Sequence, residues 1–151
     1  MHSDIDRNIL SLLQQDATQT AAQIGQQVGL SQAAAYRRIQ RLEADGYIVR
    51  RVAILDGDKV GVGIMVIALV RLTAQGRTNI EAFTSKIRAM RNVIECFVVL
   101  GDQDFFLKIA VKNIYDYEQF FLKELSVIEG VAEIKSIMTL STIKNETALP
   151  L

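Results

Sequence analysis

The chain has 151 residues, half of them apolar, and its 17 basic and 17 acidic side chains leave a formal net charge of zero. That length fits one domain or two small ones, the apolar share excludes a disordered chain, and the charge balance supplies no overall field to draw in a polyanion. With Cys96 the only cysteine and His2 the only histidine, no zinc site and no Cys/His catalytic centre can be assembled within one chain.

Ser3 is placed to cap a first helix from Asp4 to about Gln15. Ile5, Ile9, Leu12 and Leu13 form its core stripe, and Asp4 and Asp6 sit near its positive end. Thr20 followed by Gln23 is a capping box for a second helix, in which Ala21, Ile24 and Val28 share a face. Gly29 supplies a left-handed stop, and Ser31 caps a third helix that buries Ala35, Ile39 and Leu42 and ends at Gly46. Two short helices joined so tightly are a helix-turn-helix. The spacing turns Gln32, Tyr36, Arg37, Arg38 and Arg41 away from the buried stripe, so a positive, hydrogen-bonding face is available to a DNA major groove. The plain alternative is a solvated helix face. Five arginines between Tyr36 and Val52 against Glu43 and Asp45 give a local positive excess.

Tyr47 to Leu55 reads as a strand or an extended arm, and Asp56-Gly57-Asp58 is a turn that divides the chain into residues 1–57 and 58–151. The second half changes period. Val62 to Leu72 is almost wholly apolar, as in a strand covered on both faces. Thr78 with Glu81 suggests a capping box for a helix to about Met90, with Ile80, Phe83 and Ile87 inward. Val93 to Leu100 and Phe105 to Val111 are strands flanking a hairpin at Gly101 to Asp104, and Cys96 reads as a small core residue within the first of them. Asn113 caps a helix through Leu125 with Ile114, Tyr117 and Phe121 on one face, Gly130 closes it, and Val131 to Leu140 is the last strand.

The order strand, helix, strand, strand, helix, strand matches a ferredoxin-like α/β sandwich. The expected fold class is therefore α+β: a three-helix, winged-type helix-turn-helix followed by a βαββαβ sandwich. Its helices cover one sheet face only. An apolar run as long as Ile64 to Val70 implies that a second copy covers the other, and a twofold dimer would suit a palindromic operator. That same run, the longest, is too short to span a bilayer, and the polar N-terminus shows no signal peptide, so a cytoplasmic, membrane-free protein is expected.

The stretches IDRNILSLLQQDA (5–17), VGLS (28–31), RRIQRLEADGYI (37–48), GDQDFFLKI (101–109) and IKNETALPL (143–151) stand in an order and spacing that resemble the Lrp/AsnC, or feast/famine, transcription regulators over essentially the whole chain. The resemblance implies an N-terminal DNA-binding unit, a linker strand and a regulatory domain that answers to amino acids. It also implies dimers through the sheets, often four to an octamer, with effectors held between dimers by the hairpin at Gly101 to Asp104. No cofactor and no catalytic residues are implied.

Ser31, Gln32, Ala33, Tyr36, Arg37, Arg38 and Arg41 are the DNA-binding candidates. Gln32 can pair with adenine, the alanines can touch thymine methyls, and the arginines can take phosphates or guanine edges. Arg50 and Arg51 are weaker candidates, since they can equally meet solvent or acidic neighbours. Leu100, Gly101, Gln103, Asp104, Thr139 and Ser141 are the effector candidates. Asp104 would accept an ammonium and the turn N–H groups a carboxylate, although Gly and Asp also suit a plain hairpin. Gln103 stands where the family usually has an aromatic, and Phe105 where Tyr is common, so effector identity does not carry over. Two other functions remain open at this point: an architectural DNA organiser without an effector, and a tetrapyrrole enzyme like the related sirohaem decarboxylases. The latter would need pocket histidines, and His2 is the only one.

Overall fold

A computed structural model describes residues 3–151, so His2 lies outside the described residues. The chain divides into two compact units, one made of the residues up to Ile54 together with Ile143–Leu151, the other of Leu55–Thr142.

The first unit holds α1 (Asp4–Gln15), α2 (Ala21–Val28) and α3 (Gln32–Ala44). Each begins where a side chain replaces a missing backbone partner. Ser3 accepts the Asp6 N–H, Ser31 the Ala34 N–H, and Thr20 and Gln23 form a complete capping box. Gly29 turns the chain out of α2 at φ 71°, a conformation that costs a residue without a Cβ nothing. Ile9, Leu13, Ile24, Ile39 and Leu42 make the core that locks the three helices together. Residues 49–56 form an arm without regular secondary structure, in place of the strand that Tyr47 to Leu55 allowed. The segment 143–151, expected to trail from the second half, packs in this unit instead. Gln14 clasps its backbone, donating to the Leu149 carbonyl at 3.2 Å and accepting the Leu149 N–H at 2.6 Å. Thr147, Leu149 and Leu151 join α1 and the arm around a cavity of about 620 Å³.

The second unit is a four-stranded antiparallel sheet in the order β2-β3-β1-β4, from β1 (Ile64–Leu72), β2 (Val93–Val98), β3 (Phe105–Val111) and β4 (Val131–Met138). The helices are α4 (Ala74–Thr78), α5 (Ile80–Ala89) and α6 (Ile114–Phe120), which continues into a π-helical turn at Phe121–Leu125. Val66, Ala68 and Val70 of β1 and Leu107 and Ile109 of β3 are buried against Phe83, Ile87, Tyr117, Phe120 and Leu125. This is the predicted ferredoxin-like sandwich.

Its details correct several expectations. Burial along β1 alternates, so the helices of this unit cover one face of that strand and not both. Thr78 does not cap a helix. Thr73 accepts the Gly76 N–H and starts α4, the chain breaks at Asn79, and the Thr78 hydroxyl donates to the Gln75 carbonyl. Phe120, rather than Ile114, shares the buried face of α6 with Tyr117. Cys96 is exposed, because β2 is an edge strand with little packed over it. Among the described residues no helix is long and apolar enough to cross a membrane, and no cluster could hold a metal ion.

Candidate DNA interface and effector site

The exposed side of α3 begins at its cap. Ser31, Gln32, Ala33, Tyr36 and Arg37 are all exposed, because the buried positions Ala35, Ile39 and Leu42 fix which side of the helix faces the core. Ala34, Arg37, Arg38 and Arg41 follow at the i, i+3, i+4, i+7 spacing and line a shallow groove of about 340 Å³. The arginines are not equivalent. Arg37 makes no ion pair or side-chain hydrogen bond with any described residue, whereas Arg38 and Arg41 both reach Asp6 of α1. Arg38 Nη1 lies 2.8 Å from Asp6 Oδ1, and Arg41 Nη2 lies 3.0 Å from Asp6 Oδ2. Asp6 is buried, and the Ser3 hydroxyl donates to it at 3.0 Å. The expected role of Asp6 was complementing the helix dipole, so sequence reasoning missed this pairing. One signal was present: an acidic residue three positions from Ile9, on the side of α1 that must be buried. Arg51, a weaker candidate, pairs with Glu43 at 2.8 Å.

The effector candidates separate into two groups. Asp104 opens β3, and its carboxylate is already engaged, accepting the Leu72 N–H at 2.7 Å and the Arg77 Nε–H at 3.0 Å. The Leu72 N–H first, and the Arg77 guanidinium after it, hold the Asp104 carboxyl below the usual carboxylate range, against an opposing push from partial burial. Beside it Gly101 adopts φ 143°, Leu100 is fully exposed, and the Gln103 Oε1 is buried without a hydrogen-bond partner. Thr139 and Ser141 lie elsewhere. The Thr139 N–H and hydroxyl both donate to the Met65 carbonyl, at the start of β1, while Asp104 sits beside Val70 and Leu72 at its end. Met65 and Leu72 stand seven positions apart along the strand, which is roughly 20 Å or more at ~3.3 Å per residue. One chain therefore does not bring the two groups together. Arg77 was not foreseen either, because its position depends on the Thr73 cap that starts α4.

The other side of the sheet carries a third surface. Met65, Ile67 and Leu69 of β1 and Phe106 and Ala110 of β3 are half-buried there, with Phe97 of β2 and Ile137 of β4 more exposed. Phe97 and Phe106 stand opposite one another with ring centroids 6.0 Å apart. Ion pairs Lys108–Glu95 at 2.9 Å and Arg71–Glu133 at 3.1 Å lie among them.

A helix-turn-helix with an exposed polar and cationic face, followed by a ferredoxin-like unit, defines a DNA-binding protein with an appended regulatory domain. Comparison with known proteins gives the family. Residues 65–149 match the Lrp/AsnC ligand binding domain and residues 2–49 a winged helix-turn-helix DNA-binding domain. The chain is 37% identical over 148 residues to a glutamate uptake regulatory protein of Zymomonas mobilis, covering 98% of this chain and 90% of that one. It superposes on an AsnC family transcriptional regulator from Agrobacterium tumefaciens with a TM-score of 0.93, at 34% identity and over 99% of this chain and 97% of that one. It also superposes on a transcriptional regulator from Neisseria meningitidis in complex with L-Met, with a TM-score of 0.93 at 27% identity, over 99% and 97% of the two chains. The chain belongs to the Lrp/AsnC family of transcriptional regulators: it is a DNA-binding regulator with a ligand-binding domain, and not an enzyme.

Proposed function

We propose that this regulator works in the cytoplasm as a dimer or a ring of dimers up to an octamer, reads a palindromic operator with α3, and responds to an amino acid held between copies. The observation that carries the oligomer is the open sheet face. Met65, Ile67, Leu69, Phe97, Phe106 and Ile137 form one apolar surface with no other element of the second unit over it, and a patch of this kind is seldom left in water. A second copy of the same face satisfies it by twofold symmetry and gives two α3 helices for two half-sites. Ser31, Gln32, Ala33, Tyr36 and Arg37, with Arg38 and Arg41 beside them, are the groups that would meet base edges and phosphates.

The amino-acid effector rests on the ligand-binding domain and on relatives whose names concern amino acids, one a regulator of glutamate uptake and one a complex with L-Met. The loop Gly101 to Asp104 is the proposed site. Because Asp104 already holds Leu72 and Arg77, the ammonium would need an added acceptor, which a neighbouring copy can supply. Thr139 and Ser141 enter only if they come from such a copy. The engaged Asp104 also favours a second reading, an architectural DNA protein that ignores amino acids.

Sedimentation of the purified protein, and footprinting of its own promoter region with and without each of the twenty amino acids, test both readings. A dimer or larger species whose footprint changes with at least one amino acid is expected. An unchanged footprint with all twenty leaves the architectural reading, and a stable monomer removes the proposal.

A further inference from the structure

The α3 arginines that point toward one groove fall into two mechanical classes, and one residue of α1 makes the division. Asp6 has a side chain only 3% exposed, yet it meets Arg38 and Arg41, whose side chains are 32% and 53% exposed. Each carboxylate oxygen takes one guanidinium, at 2.8 Å and 3.0 Å. The Ser3 hydroxyl joins the arrangement, donating to Asp6 Oδ2 and accepting from Arg38 Nη1 at 3.2 Å. Each guanidinium keeps most of its N–H donors for something else. Arg37, which lines the same groove, makes no such contact with any described residue.

We infer that Asp6 is a positioning residue for DNA recognition: from beneath α3 it fixes the guanidinium planes of Arg38 and Arg41 and cancels one of their two positive charges. This rests on the proposed reading of operator DNA by α3. Two consequences follow from elementary physics. A side chain already held in place loses less rotational freedom when it binds, so fixed arginines favour the one geometry that matches a base edge or a particular phosphate. A buried carboxylate also lowers the pull of the helix on any phosphate, so binding to unrelated DNA is weakened. Asp6 thus trades general attraction for discrimination. The two effects have opposite signs, which separates this role from simple support of the fold.

The test uses the full chain and two duplexes of equal length, one carrying a site selected by the wild-type protein from a random pool and one with that site scrambled. Anisotropy titrations over a range of KCl concentrations give affinity and salt slope. Asp6→Asn keeps the shape and removes the charge. It is expected to bind the scrambled duplex several-fold more tightly, to steepen the salt slope by about one unit, and to lower the ratio between the two duplexes by roughly tenfold. Equal weakening on both duplexes with an unchanged slope would make Asp6 a structural residue only and overturn the inference. Should Asp6→Asn fail to fold, side-chain nitrogen NMR of the wild-type protein decides: hindered rotation of the Arg38 and Arg41 guanidinium groups beside free rotation of Arg37 supports positioning, and equal averaging of all three overturns it. The double variant Gln32→Ala/Arg37→Ala keeps the two proposals apart. If it leaves binding to the selected site unchanged, α3 is not the reader and both fall. If it weakens binding while Asp6→Asn acts only through the fold, this inference alone falls.

Discussion

The Asp104 carboxylate accepts the Leu72 backbone N–H at 2.7 Å, at the point where the pairing of β1 slips out of register. An irregular strand end leaves a backbone donor without a ladder partner, and a carboxylate is a strong replacement. The bond ties the loop before β3 to the last residue of β1, so the proposed effector loop is built onto the sheet rather than hung from it.

That bond makes the stability of the second unit sensitive to acid. A carboxyl held below its ordinary value stabilises the fold above that value, and the contribution is lost as pH falls through the lowered, folded-state value. Asp104→Asn should therefore melt below the wild type at neutral pH, with the gap closing once pH drops under about 4. Thermal melts of both proteins across that range measure it, and a gap that stays constant would show that ionised Asp104 contributes nothing.

Gly76 and Gly130 form the second joint. A Cβ on Gly76 would collide with the backbone carbonyl of Gly130, and Gly130 itself adopts φ 86° with the Gly76 Cα against it. Backbone on both sides cannot move aside as a side chain can. Gly76→Ala should cost about 1–3 kcal/mol in urea unfolding, with no change in the denaturant slope.

Helix starts offer a paired comparison. Thr20→Ala and Thr73→Ala each remove a hydroxyl that accepts a backbone N–H, at Gln23 and Gly76, and should each lower stability by about 1 kcal/mol. Thr78→Ala removes only a donor to the Gln75 carbonyl on the surface and should fall within about 0.5 kcal/mol of wild type. Denaturation of the three variants side by side reads the difference.

The open sheet face predicts the behaviour of Leu69→Asp. A charge placed amid Ile67, Phe106 and Phe97 would be tolerated by a lone subunit and desolvated in a face-to-face pair. Sedimentation velocity should show monomer where the wild type gives dimer or larger, with circular dichroism unchanged. An unaltered oligomer would move the interface elsewhere.

Local chemistry was legible in the sequence to the residue. The Thr20 and Gln23 box, the Ser31 and Asn113 caps and the Gly29 stop each depend on neighbours a few positions away, and each stands where the residues put it. The order of elements was enough to name the sandwich. What failed depended on tertiary placement. Thr78 and Thr73 are equally good caps in sequence, and only the close approach of Gly76 to Gly130 goes with the earlier one. Ile114 and Phe120 both fit a helical stripe, and the sheet chooses between them. The pairing of Asp6 with Arg38 and Arg41 spans more than thirty positions, and the separation of Thr139 from Asp104 follows from strand direction, which composition does not encode.

The Gln14 clasp on Leu149 has a practical consequence for dissecting the protein. A fragment cut at the turn near Asp56 would carry all three helices and still be missing part of its own surface, because Leu149 and Leu151 come from the far end of the sequence. The DNA-reading half is a composite of two distant stretches, and a fair test of it in isolation would have to graft the final nine residues back on.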